Sequence, residues 1–385
     1  MQIFGIDLAF VIFALTLVGV AVFHHKTLYV ALAGLSLVLA YKLFFTQFNL
    51  LEHAQHEWKD LLNLFGLLLG FSLLAKHFEH SGVPAKLPNY LPDDWKGGFI
   101  LLLLVFVLSS FLDNIAAAMI GGGVAHVTYK KKVHLGYIAA IVASSNAGGS
   151  GSVLGDTTTT MMWIDGVNAF DVLHAYAAAI PALFIFGIVA SLQQHKYQPI
   201  LKDEIAGAKI SWRRIGVCGM ILAGAITSNV LIDFPAAGVW VAILVGSFII
   251  KTEWVELKFA LPGSIFLLAL VLCASMMPVD ELPAASWQTA FGLGFVSSVF
   301  DNIPLTKLAL TQGGYDWGVL AYCVGFGGSM IWFGSSAGVA ISTLFPEAKS
   351  VKDWVLNGWH IALAYVISFF ILLAVLGWHP HFPHH

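Results

Sequence analysis

The sequence predicts an all-α polytopic membrane protein: an inverted-repeat transporter fold with two re-entrant hairpins and two broken transmembrane helices. The first observation is composition, because the 385-residue chain is 58% hydrophobic and only 11% charged, whereas an ordinary soluble domain is about 25% charged. The second is a series of apolar runs long enough for membrane helices, and the third is a pair of motifs that recurs in both halves. We therefore expect the lipid bilayer, and no nucleic acid, as a partner of the chain.

The N-terminal part, residues 1–80, is predicted to hold scaffold helices. Apolar runs at 3–23, 28–45 and 61–75 predict three membrane helices. A polar segment, 47–59, separates the second run from the third and predicts a loop.

The first repeat, residues 81–192, contains an apolar run at 97–127 that is interrupted by the polar pair Asp113-Asn114. The run has about 15 residues before the break and 13 after it. A helix rises 1.5 Å per residue, so neither arm crosses a hydrocarbon core of about 30 Å. Two short arms that meet at a polar tip predict a re-entrant hairpin. A broken transmembrane helix, 134–164, follows the hairpin.

A polar linker, residues 193–214, joins the two halves and is predicted to be cytoplasmic. The second repeat, residues 215–385, contains a second polar interruption at Asp301-Asn302 within an apolar run. Its predicted hairpin covers 284–310, and its predicted broken helix covers 317–345.

Two sequence motifs are shared by the halves and indicate an internal repeat. SSFLDNI at 109–115 returns as SSVFDNI at 297–303, an offset of 188 residues. GGSGSVLGDT at 148–157 returns as GGSMIWFGSS at 327–336, an offset of 179 residues. Each half thus carries an Asp-Asn break and then a glycine-rich interruption.

The distribution of positive charge predicts the topology. With the linker cytoplasmic and both Asp-Asn runs folded as hairpins, 16 of the 19 Lys and Arg residues fall on the cytoplasmic side; the exceptions are Lys42, Lys59 and Lys307. This bias follows the positive-inside rule. The hairpins then enter from opposite faces, so the repeat is inverted. We expect an integral protein of the bacterial inner membrane with both termini external.

The stretch 143–163, ASSNAGGSGSVLGDTTTTMMW, lies in an apolar run yet does not suit a continuous helix. Glycine and serine weaken the helix at six positions within 148–155, and Asp156 and four threonines follow. Freed backbone groups and a carboxylate are tolerated at membrane depth where they are buried in protein or line a watery cavity. This pattern indicates a site for a transported ion. The alternative is a flexible kink whose Asp156 is satisfied by hydrogen bonds.

These residue types suit Na⁺, a hard cation that takes oxygen ligands. Ser145 and Asn146, at the end of the first half-helix, are candidate ligands. Thr157 begins the second half-helix, and the hydroxyls of Thr157 to Thr160 either supply one or two ligands or only satisfy freed backbone groups. Proton coupling needs a carboxylate that binds either the cation or a proton, and burial raises the pKa of an Asp from about 3.9 toward neutrality. Asp156 is the candidate acid. Its counterpart in the repeat is Ser335, so a purely structural role at this position requires no carboxylate.

The Asp-Asn tips have two interpretations. Asp113 and Asp301 can cap helices, because Asp accepts hydrogen bonds from the free N–H groups at a helix start. They can also bind the ion, together with the amide oxygens of Asn114 and Asn302, and the two roles are compatible.

SSNAGGSGSVLGDTTTTMMW, the two Asp-Asn tips and GSSAGVA at 334–340 together resemble NhaD-type sodium/proton antiporters of the ion transporter superfamily. The resemblance covers nearly the whole chain in architecture and a few short stretches in motif. It implies a scaffold and a moving transport subdomain, a homodimer, and Na⁺ and H⁺ as transported ions without any other cofactor. It implies that Na⁺ binds at Asp156, Asn114 and Asn302. The wider ion site that it implies comprises Asp113, Asn114, residues 146–157, Asp301, Asn302, Ser335 and Ser336.

Lys307, five residues after Asn302, departs from the family pattern, which has an apolar residue near this position. A lysine at the centre of a membrane segment costs roughly 2.5–3.5 kcal/mol on insertion scales. Three interpretations stay open: a salt bridge with Asp301, a fixed or competing cation, or a positive group that binds an anionic substrate.

The predicted function is secondary active transport that exchanges Na⁺ or Li⁺ for H⁺ by alternating access. The alternative is transport of a small anion, a carboxylate or arsenite, which relatives in the superfamily carry and which Lys307 would favour. An enzyme is not expected, because the sequence contains no metal-ligand cluster, nucleophile elbow or phosphate-binding loop.

Overall fold

The computed structural model describes residues 2–3, 6–23, 26–200, 209–279 and 282–381. It is 77% helical, and a two-stranded ribbon pairs β1 (Gln2–Ile3) antiparallel with β2 (Ile6–Asp7). Six of the described helices are long and apolar enough to cross a membrane. The predicted class, an all-α polytopic membrane protein, is confirmed.

Three helices form the N-terminal part: α1 (Leu8–Val22), α2 (Thr27–Phe45) and α3 (Leu50–Glu79). The predicted loop at 47–59 is wrong from Leu50 onward, because α3 begins there with Asn49 as its N-terminal cap. A polar side chain in this segment does not need a loop where it has a partner, and Glu57 is buried against Lys307 of another helix.

The remaining helices belong to the two predicted repeats. The first repeat contains α4 (Val83–Tyr90), α5 (Trp95–Ser109), α6 (Asn114–Thr128), α7 (Leu135–Ser150), α8 (Thr157–Ile164), α9 (Ala169–Leu173) and α10 (Tyr176–Tyr197). The second contains α11 (Trp212–Ile232), α12 (Pro235–Ile249), α13 (Glu256–Ser275), α14 (Trp287–Ser297), α15 (Asn302–Gln312), α16 (Trp317–Gly327), α17 (Ser336–Leu344), α18 (Val351–Asn357) and α19 (Trp359–Leu376). A short 3-10 helix, Pro346–Lys349, lies between α17 and α18.

Each interruption that the sequence predicts separates two helices. Residues 110–113 join α5 to α6, and residues 298–301 join α14 to α15. Residues 151–156 separate α7 from α8, and residues 328–335 separate α16 from α17. The halves therefore repeat the same order of helix pairs. That the pairs α5–α6 and α14–α15 are re-entrant in a membrane stays a prediction.

The helices α7 and α16 lie at the centre of the larger of two hydrophobic cores in the described chain. All of α16 and residues 136–150 of α7 are buried. Glycine lets neighbouring backbones approach closely here: a Cβ on Gly148 would overlap the backbone of Phe106, and a Cβ on Gly155 would overlap that of Ser109. The first hairpin is therefore seated directly on the break between α7 and α8.

The C-terminal end of α3 lies against the linker. Ser211 N–H donates to the carbonyl oxygen of Ser81 over 2.8 Å, and Arg214 Nη1 lies 3.3 Å from His77 Nδ1. We call this end of the molecule the linker face.

The two helix pairs open toward opposite faces. After α6, His134 N–H donates over 2.7 Å to Gln194 at the end of α10, which leads into the linker. On α15, Lys307 contacts Glu57, which lies about 30 Å before His77 along α3 at 1.5 Å per residue. An inverted repeat is expected to have this arrangement.

Candidate ion-binding site

A cavity of about 1060 Å³ extends from the linker face to the predicted site residues. Near the linker face its lining includes Lys76, Glu79 and Glu256, and most of the rest of its wall is apolar. At its inner end it is lined by carboxylates and hydroxyls from Asp113, Asp156, Asp301, Thr157 and Ser336. The structure thus brings both Asp-Asn tips and both helix breaks to one cavity.

Asp156 is the N-terminal cap of α8 and is buried. Its Oδ1 accepts hydrogen bonds from Thr158 N–H over 2.9 Å and from the Thr158 hydroxyl over 3.0 Å. Its Oδ2 accepts from the Asn114 side-chain amide over 2.9 Å. The glycine-rich segment before Asp156 interrupts the helix, and the break places this carboxylate at a helix N-terminus, where negative charge is stabilised.

A chain of hydrogen bonds links Asp156 to the second half of the protein. The Asn114 amide also donates to Asn146 Oδ1 over 3.1 Å. The Asn146 amide in turn donates to the hydroxyls of Ser329 over 2.9 Å and Ser335 over 3.0 Å. The polar groups of the two helix breaks therefore form one connected network.

Ser335 occupies the position in α17 that Asp156 occupies in α8. Its hydroxyl caps α17 by accepting from Gly338 N–H over 3.3 Å. A serine hydroxyl is enough to cap α17, so capping alone does not explain the carboxylate of Asp156 at the equivalent position.

Asp113 and Asp301 cap the second helices of the two pairs. Asp113 Oδ1 accepts from Ile115 N–H over 2.9 Å, and Asp301 Oδ1 accepts from Ile303 N–H over 3.0 Å. The capping interpretation is therefore confirmed. Both carboxyls also line the cavity, and the hydroxyl of Ser336 donates to Asp301 Oδ2 over 3.2 Å.

Some hydroxyls around the break donate to backbone carbonyls, and some line the cavity. The Thr159 hydroxyl donates to Ser152 O over 2.6 Å, and the Thr160 hydroxyl donates to Val153 O over 2.9 Å. These two threonines satisfy backbone carbonyls that the broken helix frees. The hydroxyl of Ser145 donates within its own helix, to Val142 O over 2.8 Å. Thr157 lines the cavity, as Thr160 does, and is better placed than Thr159 to offer its oxygen to an ion.

Asn302 does not join the network that Asn114 enters. Its side chain is buried, and its Nδ2 makes no hydrogen bond within the described part of the chain. The repeat explains the difference, because the second half has Gly325 where the first has Asn146. A role for Asn302 in binding Na⁺ stays a prediction.

The predicted salt bridge between Lys307 and Asp301 is wrong. Lys307 Nζ lies 2.8 Å from Glu57 Oε2 and 3.8 Å from Asp165 Oδ1. Six residues of α-helix amount to about one and two-thirds turns, so Lys307 and Asp301 point to different sides of α15.

Neither partner of Lys307 follows from the sequence patterns. Glu57 lies in the segment that is predicted to be a loop, and no motif points to Asp165. The Asp165 side chain is only 11% exposed. No local signal marked Glu57 as buried, because its neighbours in the sequence, among them His56, Lys59 and Asp60, are also polar. The described residues hold no group of three or more His, Cys, Asp or Glu side chains suited to a bound metal ion.

Sequence comparison relates the chain to curated proteins. "Sodium/proton antiporter 1" of Arabidopsis thaliana is 25% identical over 75% of this chain and 57% of its own length. "Sodium/proton antiporter 2" of the same plant is 23% identical over 75% of this chain and 80% of its own length. "Na(+)/H(+) antiporter NhaD" of Halomonas elongata is 24% identical over 71% of this chain and 66% of its own length.

The predicted resemblance to NhaD-type sodium/proton antiporters is confirmed. The chain spans a little over half the length of the first of these plant relatives, and no family model matches it. The names of the NhaD-type relatives give no support to the anion alternative, and they fit a transporter rather than an enzyme. The chain is an integral membrane protein.

Proposed function

We propose that the chain exchanges Na⁺ or Li⁺ for H⁺ by alternating access across the bacterial inner membrane. The observation that carries the proposal is the position of Asp156, which is buried at a helix break, bonded by Asn114 and Thr158, and at the inner end of the cavity. The names of the relatives support the same activity. The cluster of carboxylates at the inner end opposes an anionic substrate.

Exchange follows from competition for one carboxylate. In the described arrangement an Asn114 N–H donates to Asp156 Oδ2, so the positive end of the amide occupies a lone pair that a cation could use. Rotation of this amide replaces the donor with the carbonyl oxygen of Asn114. Asp156, Asn114 and Asn302 then supply oxygens to Na⁺, as a hard cation requires. A proton on Asp156 removes its charge, so the ion and the proton exclude each other.

Alternating access requires one part of the chain to move against another. We assign residues 1–80 to the scaffold and the helix breaks of the repeats at 81–192 and 215–385 to the moving transport part, with 193–214 as a cytoplasmic linker. The proposed assembly is a homodimer with both termini external. In this topology the cavity at the linker face opens to the cytoplasm.

Proteoliposomes that contain a pH-sensitive dye test the proposal. Addition of Na⁺ or Li⁺ on one side should drive proton movement from the other, whereas K⁺ and a dicarboxylate should not. The protein with Asp94→Asn is a matched control, because Asp94 also caps a helix, α5, but is exposed and is not among the residues that line the cavity. Absence of any Na⁺- or Li⁺-dependent signal from correctly inserted protein would refute the proposed function.

A further inference from the structure

A second charged cluster lies apart from the cavity. It consists of Glu57, Asp165 and Lys307, whose side chains are 9%, 11% and 7% exposed. The cluster joins three helices, since Glu57 belongs to α3, Asp165 follows the last residue of α8, and Lys307 belongs to α15.

All three helices lead from the cavity to this cluster. On α3, residues from Leu64 to Glu79 line the cavity, whereas Glu57 and Asp60 line a separate pocket of about 20 Å³. On α8, the cavity is lined by Thr157 and Thr160, and the small pocket by Met161 and Ile164. On α15, Asp301 adjoins the cavity and Lys307 the pocket.

A thin layer of apolar side chains separates the two spaces. Leu64 lines both of them, and the small pocket is otherwise lined by Leu61, Met161, Ile164, Val271 and Leu310, together with Asp60 and the charged cluster. The cluster therefore stands behind this layer, on the side of the molecule opposite the linker face. An ion that left the cavity acids in this direction would have to pass it.

The charges of the cluster suit a gate that alternates between a closed and an open state. Lys307 contacts a carboxylate from α3 and another from the end of α8, and it balances one of these two negative charges. Its ion pairs bridge the proposed scaffold and the proposed moving part. A buried charge that is separated from its partner is strongly unfavourable. The buried ion pairs therefore stabilise the closed arrangement, in which Lys307 contacts both carboxylates. When Lys307 withdraws, two carboxylates remain on the route and attract a cation.

We propose that Glu57, Asp165 and Lys307 form the closed gate on the face opposite the linker, with Lys307 as a tethered cation that vacates the route when α3 moves relative to α8 and α15. The identity of the ion that passes the gate rests on the proposed function. The gate itself is tested only by whether a reagent can pass the cluster, whichever ion the protein carries.

Sided cysteine labelling tests this proposal. Met161→Cys is introduced after Cys218, Cys273 and Cys323 have been replaced by serine, and a membrane-impermeant maleimide is applied to oriented vesicles. With the gate intact, labelling from the face opposite the linker should be slow. Adding Lys307→Met should increase the labelling rate by about tenfold or more, because the ion pairs that stabilise the closed state are then lost.

The matched control is Lys59→Met. Lys59 lies on α3, as Glu57 does, and pairs with Asp233 over 2.6 Å. This pair is exposed, so labelling at position 161 should not change. The charge exchange Glu57→Lys with Lys307→Glu should restore slow labelling, which a general loosening of the fold would not. Should Lys307→Met fail to insert, Glu57→Gln provides the same test.

Unchanged labelling in both gate variants, or an increase only from the linker face, would overturn the gate. Labelling needs no ion flux. Gated labelling in a protein without Na⁺-driven proton movement would therefore refute the proposed function and retain the gate.

Discussion

Asn114, at the tip of one helix pair, donates a hydrogen bond over 2.9 Å to Asp156, at the break of another helix. The same amide also donates to Asn146. The acid that we assign to proton coupling is thus held by a neighbour whose amide has a donor end and an acceptor end. This relationship leads to the first two predictions.

Asp156→Asn should insert and fold, because asparagine also caps helices, yet Na⁺-driven proton movement should fall by about a hundredfold or more, as expected when a proton-transferring group is removed. Asp156→Glu should retain part of the exchange. The measurement is dye response in proteoliposomes, normalised to inserted protein. Full exchange by Asp156→Asn would move the coupling role to Asp113 or Asp301.

Asn114→Ala should lower the free energy of unfolding by about 1–3 kcal/mol, because it leaves buried acceptors on Asp156 and Asn146 unpaired. Asn302→Ala is the matched variant, since Asn302 Nδ2 bonds no group in the described chain, and its effect on stability should be smaller. Thermal unfolding in detergent compares the two. Equal loss of stability would show that Asn302 has contacts equivalent to those of Asn114.

Protons should compete with Na⁺. If both bind Asp156, lowering the pH on the side of Na⁺ entry should raise the Na⁺ concentration for half-maximal exchange, and saturating Na⁺ should restore the rate. Initial rates at several pH values measure this effect. An unchanged half-maximal concentration with a reduced maximal rate would contradict binding at a shared carboxylate.

Lys307→Met should lower the free energy of unfolding by about 3–5 kcal/mol, because it strands the buried carboxylate of Glu57. Glu57→Gln in the same chain should recover much of this loss, whereas Asp301→Asn should not. Chemical or thermal unfolding of the three variants decides between the partners. Recovery by Asp301→Asn alone would show that the pairing described above is wrong.

The proposed topology predicts labelling from opposite sides. A cysteine at Lys131 should react with an impermeant reagent from the cytoplasm, and a cysteine at Gln312 from outside. Lys132, the neighbour of Lys131, accepts a hydrogen bond from Gln194 near the linker, whereas Gln312 ends α15. Reaction of both cysteines from one side would refute the inverted repeat in the membrane.

Local signals made much of the site predictable. Glycine, Asp and Thr act on the backbone within a few residues, so the helix breaks and the caps at Asp113, Asp156 and Asp301 follow from the sequence. The repeat also pointed to the asymmetry between Asp156 and Ser335.

Contacts between distant segments could not be predicted in this way. Glu57 and Lys307 are separated by most of the chain, and no short pattern links a carboxylate in one helix to a lysine in another. Ser329, which accepts from Asn146, was also missed, although the repeat aligns it with Ser150. Asn302 resembles Asn114 within its own motif, and the loss of its partner arises at a distant position, where Gly325 stands in place of the Asn146 of the first half.

The two close glycine contacts constrain how access can alternate. Gly148 and Gly155 leave no gap against the backbones of Phe106 and Ser109, so the α5–α6 tip cannot slide over the α7–α8 break without a collision of main-chain atoms. We therefore expect the two helix pairs to move as one unit in the proposed cycle, with the backbone distance between Asn114 and Asp156 kept. In the proposed mechanism the Asn114 amide therefore rotates within a backbone frame of fixed dimensions, and the change in exposure occurs at the outer surface of this unit against α3.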